Sequence, residues 1–195
     1  MRLTVVSKYE EPRAHAVRDR YLDIFGGEEL PVPVESIAED LLGLRVEERF
    51  DIDCSGMLLP AERRIVLNAG ERATGRNDPP LRRFRFTIAH EIGHWVCHCL
   101  EGKAPDPEPS YCRPVDLTDA ADRVLEREAN VFAAELLMPE PAVREAWDEL
   151  EDVAACATRF DVSPTAMQWR LFAFDLVADR PVGEITASER GRLDV

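Results

Sequence analysis

Apolar positions along the chain fall into two periods, and the change from one to the other outlines the fold. Over residues 12–25, Ala14, Val17, Tyr21, Ile24 and Phe25 recur at helical spacing, with Pro12 in the first turn and Gly26-Gly27 as the stop. Val34, Ile37, Ala38, Leu41 and Leu42 predict a second helix from about Pro33 to Leu42, closed by Gly43. The period then drops to two. Leu44, Val46, Glu48 and Phe50 alternate with Arg45, Glu47 and Arg49, which predicts a strand with one mostly apolar face. Gly56–Leu59 and Arg64–Asn68 predict two more strands, joined as a hairpin at 60–62, so a small antiparallel sheet is expected.

Helical spacing returns after a loop at 70–80. Leu81, Phe84, Ile88, Ile92, Trp95, Val96 and Cys99 share one face of a long helix that starts at Asp78-Pro79-Pro80 and ends at Gly102. A proline-rich loop over 103–116 follows. A third long helix, about Thr118 to Met138, has Thr118 as N-cap, Asp119 and Asp122 in its first turn, and Leu125, Ala129, Phe132, Ala133 and Leu136 on its core face. After Pro141 come a helix with Val143, Ala146, Trp147 and Leu150, its continuation over 152–160, a turn at Asp161-Val162-Ser163, and a last helix capped by Ser163-Pro164. The final pair resembles a helix-turn-helix unit. The pattern predicts an α+β protein: a main domain over 1–150, a helix-turn-helix-like segment over 151–180 packed on it, and a loosely ordered tail over 181–195.

The chemistry lies on the first long helix, where residues 90–94 read His-Glu-Ile-Gly-His. Residues four apart share a helix face, so His90 and His94 can reach one metal ion. Glu91 flanks them, where a carboxylate can take a proton from an activated water. Both histidines fall opposite the apolar stripe, and Gly93 permits a close approach by another backbone, with the sheet as the candidate. A catalytic zinc site takes three protein ligands and keeps a position open. Glu126 and Glu128 compete for the third place. Glu126 borders the core face, with the small Ala133 on its side and Asn130 one turn on, able to bond a ligating histidine; it is favoured over Glu128, which lies toward Glu135 on the other flank. His98, four residues past His94, is set aside as a ligand, because His90 to His98 spans about 12 Å at 1.5 Å per residue, and is expected near the site or packed under the loop. His15 has no partner nearby in sequence and is expected at the surface.

Composition narrows the partners. With 45% hydrophobic residues the chain can bury a core, and no apolar run approaches the roughly 18 residues of a membrane span. The start lacks a signal-peptide core, so a cytoplasmic protein is expected. The net charge of −14, with Lys8 and Lys103 the only lysines among 24 basic residues, disfavours direct nucleic-acid binding. Arg170 is the one basic residue of the last helix through Val177, too little for a recognition helix. The five cysteines have no framework spacing and are expected reduced, and Cys97 and Cys99 point apart on their helix.

Arg83–Trp95 (RFRFTIAHEIGHW), the hairpin Ser55–Leu58 to Ile65–Ala69, and above all Glu126–Pro139 (EREANVFAAELLMP) resemble the ImmA/IrrE family of zinc metallopeptidases over roughly residues 30–175. The stretch Ala155–Met167 is similar to the helical segment that follows in that family. The resemblance implies helices around a small twisted antiparallel sheet. It implies one Zn2+ held by His90, His94 and a glutamate, with Glu91 as catalytic base. It also implies a protein substrate, typically a helix-turn-helix repressor cut to derepress phage or stress genes. A zinc-binding regulator that holds a repressor without turnover is the alternative. The chain stops soon after the helical segment, so the sensory domain of longer members is expected to be missing. Tyr111 is weighed as an oxyanion partner, with a merely packed tyrosine as the plainer reading.

Overall fold

The computed structural model describes residues 11–27, 30–74, 80–100 and 120–179. The elements are α1 (Pro12–Phe25), α2 (Val34–Ser36, continued by a wider turn over Ile37–Leu41), β1 (Arg45–Arg49), β2 (Gly56–Leu59), β3 (Arg64–Asn68), α3 (Ala69–Thr74), α4 (Pro80–His94, continued by a π-helical stretch over Trp95–Cys99), α5 (Ala120–Leu137), α6 (Glu140–Leu150), α7 (Val153–Phe160) and α8 (Pro164–Ala173). This is the expected α+β arrangement, mostly helical with one small sheet. The expected capping residues Asp78, Thr118 and Asp119, the proline-rich loop with Tyr111, and the tail lie outside the described residues.

The hairpin forms where alternation placed it. Pro60–Glu62 make a single 3-10 turn and Arg63 takes a left-handed conformation, which brings β3 back antiparallel to β2 with Leu58 opposite Ile65. The sheet order is β1-β3-β2, and β1 pairs with β3 in parallel, Val46 opposite Ile65. The sheet is therefore mixed rather than antiparallel throughout. Alternation in β1 specifies which side chains face inward, and that is the same for either strand direction. Phe50, predicted on the inward face, lies beyond the strand and is 82% exposed. As the central strand, β3 is covered on both faces: Ile65, Val66 and Leu67 are all buried.

Helix boundaries have local causes. Glu151 adopts a left-handed conformation and Asp152 accepts a hydrogen bond from the N–H of Ala155, so the stretch after α6 restarts as α7 instead of continuing it. Ser163 caps α8 as predicted, its Oγ accepting from the N–H of Ala166 at 3.1 Å. Asp161, which ends α7, is held by Arg82 and Arg85 of α4 at 3.1 and 3.3 Å.

A polar knot ties α1, α5 and α8 together inside this core. Glu135, buried on α5, pairs with Arg170 of α8 and with His15 of α1. Arg170 Nε also donates to the carbonyl of Met138 at 2.8 Å, where α5 has ended. His15 is thus not a bystander, because its partner lies far along the chain. Arg170 is 5% exposed, so α8 presents no basic side chain to a nucleic acid. Removing one member of a buried pair strands the other charge, at a cost of about 3–5 kcal/mol. Arg170→Ala is expected to lose that much in urea unfolding, while Glu135→Leu with Arg170→Met together recover most of it.

Candidate metal centre

The long helix α4 is buried on nearly every side from Thr87 to His98, so the face opposite its apolar stripe is not solvent. It is covered by α5. Gly93 makes the approach possible: a Cβ there would stand 3.0 Å from both the Cα and the carbonyl oxygen of Ala129 and 3.2 Å from Cβ of Phe132. The backbone that Gly93 admits is thus that of α5, not that of the sheet. Ala129 and Ala133, both fully buried, keep α5 thin along this contact. Gly93→Ala is expected to cost about 1–3 kcal/mol in chemical denaturation despite the better helix propensity of alanine, because overpacking outweighs it.

This crossing brings Glu126 to the histidine pair. Nε2 of His90 and Nε2 of His94 are 3.0 Å apart, Glu126 Oε1 is 3.1 Å from His94 Nε2, and Glu126 Oε2 is 3.3 Å from His90 Nε2. Two donors about 2.0–2.1 Å from one ion at a tetrahedral angle stand about 3.3 Å apart. Two imidazole nitrogens and a carboxylate oxygen with these separations fit a single small divalent ion, and His90, His94 and Glu126 form a group able to hold one. Glu128, the other candidate from the sequence, stands instead 3.2 Å from His98.

Neighbours fix the rings. Asn130 Oδ1 lies 3.1 Å from His90 Nδ1, so His90 donates there, which leaves Nε2 as the nitrogen that faces Glu126. His94 Nδ1 lies 3.1 Å from Nδ1 of His98, which is completely buried. Sequence reasoning missed this second contact. Its signal was the four-residue step from His94 to His98 together with a glutamate two residues after Glu126 on the opposing helix.

The electrostatics differ sharply within a few ångströms. Burial lowers the His94 pKa to about 4, and the charges of His90 and His98 push the same way, against the hydrogen bond that Glu126 accepts and its negative charge. Burial opposes ionisation of Glu126 too, but the hydrogen bonds and charges of His90 and His94 outweigh it and hold the carboxyl well below its ordinary range. For His90, burial works downward, yet Glu126, Glu91 and Asn130 together raise its pKa. Glu91 is pushed up to about 8, chiefly by burial, with Glu126 adding to the rise and His90 and a hydrogen bond from the Leu58 backbone opposing it. Its Oε2 is buried and has no hydrogen-bond partner among the described residues. A native fold rarely leaves such an atom unpaired unless a reacting group or water is meant to meet it. A carboxyl with a pKa near neutrality suits proton transfer in both directions.

Residues 63–172 match the peptidase family described as the IrrE N-terminal-like domain. The chain belongs to that family. It is 29% identical over 120 residues to the radiation response metalloprotease IrrE of Deinococcus radiodurans, a match that covers 60% of this chain and 33% of that protein. The chain therefore spans about a third of the length of that relative. A Mycobacterium tuberculosis transcriptional regulator shares the fold, with a TM-score of 0.60 at 18% identity over 85% of this chain and 48% of that one. The matched stretch of this family member begins at the hairpin and runs through α4 and α5 into α8, so it contains His90, Glu91, His94 and Glu126. No helix among the described residues is long and apolar enough to cross a membrane.

Among the described residues, no cysteine belongs to the group formed by His90, His94 and Glu126. Cys97, Cys99 and Cys156 carry free thiols, as expected, whereas Cys54 is disulfide-bonded, contrary to the expectation of reduced thiols throughout.

Proposed function

We propose that the chain is a zinc-dependent endopeptidase that cleaves a regulatory protein, a helix-turn-helix repressor, and so releases the genes that the repressor silences. The observation that carries this reading is the meeting of His90, His94 and Glu126 around one point, with the buried, half-unsatisfied carboxyl of Glu91 beside it. Zn2+ bound there supplies a positive charge that polarises a peptide carbonyl and makes water nucleophilic near neutral pH. The two histidines and Glu126 hold the ion, and Asn130 keeps His90 in the tautomer that can ligate. Glu91 takes the proton of the attacking water and passes it to the departing amide nitrogen. The sheet offers a place for the substrate: β2 is an edge strand, and the backbone of its residue Leu58 reaches Glu91. An extended segment added to that edge would lay its scissile bond across the site. Gly56 keeps β2 close to α4, because a Cβ there would collide with Cγ2 of Thr87 at 2.4 Å.

A protein partner in the cytoplasm suits the acidic chain better than a nucleic acid does, since the net charge is −14 and the one arginine of α8 is buried. The test is to incubate the zinc-loaded protein with the helix-turn-helix regulator encoded beside its gene and analyse the products by mass spectrometry. Two fragments from a single internal cut support the peptidase. An intact regulator held in a stable complex supports binding without turnover instead.

A further inference from the structure

We propose that His98 and Glu128 are positioning residues that hold His94 in its metal-ligating tautomer through a two-step hydrogen-bond relay. This rests on reading His90, His94 and Glu126 as the metal centre. The logic runs from the outside in. A carboxylate only accepts hydrogen bonds, so at 3.2 Å from Glu128 Oε2 the ring nitrogen Nε2 of His98 must carry the proton. A neutral imidazole has one N–H, which leaves Nδ1 of His98 as an acceptor. Nδ1 of His94 lies 3.1 Å away and must therefore donate to it. The lone pair of His94 is then on Nε2, the atom that faces Glu126 at 3.1 Å and His90 at 3.0 Å, so the relay works against the alternative in which Nε2 of metal-free His94 donates to Glu126. One carboxylate on the flank of α5 thus determines which nitrogen of His94 is free to ligate.

The two helices divide the work symmetrically. From α5, Glu126 joins the donor triangle, Asn130 orients His90, and Glu128 orients His94 through His98. Side chains two apart on a helix diverge by about 200°, so Glu126 and Glu128 flank opposite sides of the α5 contact. The interposed His98 closes the gap on the far side. The helix supports this placement: directly after His94, residues Trp95–Cys99 widen into a π-helical stretch, a distortion that recurs at functional sites. His94 and His98 are both completely buried, so the ring pair is shielded from exchange with bulk water. Glu128 is 36% exposed and contributes by orienting a ring, not by filling the core.

The relay is tested on the full chain with Glu128→Ala and His98→Phe, by two readouts. Long-range proton–nitrogen correlation spectra of metal-free Glu126→Ala protein, in which no carboxylate competes for Nε2 of His94, report the imidazole tautomers directly. That background is expected to show His94 as the Nδ1–H form and His98 as the Nε2–H form, and adding Glu128→Ala is expected to mix both. Chelator competition is expected to show zinc affinity falling about 10–100-fold in each variant, the usual loss for a residue that orients a ligand. A His94 tautomer that is unchanged in Glu128→Ala overturns the relay, whatever the affinity does. Because Glu128 is partly exposed, that variant should keep its unfolding midpoint even where His98→Phe does not. Should wild type take up no zinc, the metal-centre reading fails by itself, and the tautomer spectra still decide the relay.

Discussion

Replacing Glu91 by Gln is expected to abolish peptide cleavage while leaving metal uptake intact. The carboxyl is not among the three donors, so the ion loses no ligand. What is lost is the group that accepts and returns the proton, and positioned acid–base catalysis contributes about 10²–10⁴-fold. Gln keeps the shape and can still accept from the backbone of Leu58, so α4 and β2 should stay together. Stability supplies a control whose sign can be stated. The folded-state pKa of Glu91 is raised from 4.5 to about 8, so its neutral form favours folding. That contribution is present below pH 4.5 and is lost as pH rises to about 8, when a buried carboxylate must ionise. Metal-free Glu91→Gln should therefore be at least as stable as wild type at pH 8, and a loss of activity cannot be ascribed to unfolding. Cleavage assays beside thermal unfolding and zinc analysis check all three expectations. An active Glu91→Gln protein would remove Glu91 from the chemistry.

Glu126→Ala carries the second large effect, on the ion itself. Four-ligand structural zinc sites bind with about 10–16 kcal/mol, so one protein ligand accounts for roughly 10²–10³-fold in affinity. Chelator competition is expected to show a loss of that size for Glu126→Ala, larger than for Glu128→Ala. The order matters because both glutamates lie on α5 within reach of a histidine, Glu126 beside His90 and His94 and Glu128 beside His98. If the order were reversed, the ion would sit on the His98 side of the helix contact. Circular dichroism of the metal-free variant separates lost ligation from lost fold.

Much of this was legible in the chain, for identifiable reasons. Helical periodicity marked α1, α4, α5 and α8, because each buries a stripe of apolar side chains whose spacing is the helix period. The four-residue spacing of His90 and His94 placed both rings on one face, and the position of Glu126 at the edge of the α5 core stripe marked it as the glutamate nearer to them. Gly93 was recognisable as a site of close approach, but not the identity of the helix that approaches. The parallel pairing of β1 was illegible, since alternation encodes the face and not the partner. The link from His15 to Glu135 was also out of reach, because it joins residues far apart in sequence with no local signature, and that from His98 to Glu128 left only the four-residue step from His94 and the second glutamate of α5 as a hint. Polar groups inside a core are satisfied by whatever the tertiary packing brings close, which periodicity cannot foretell.

The central claim is that His90, His94 and Glu126 hold one zinc ion. X-ray absorption at the zinc edge, combined with metal analysis of wild type and of His94→Ala, tests it most directly. The account predicts one zinc per chain, bound by two imidazole nitrogens at about 2.0–2.1 Å with oxygen completing the shell, and its loss from His94→Ala. Zinc coordinated by sulfur, or zinc retained in full by His94→Ala, would contradict it.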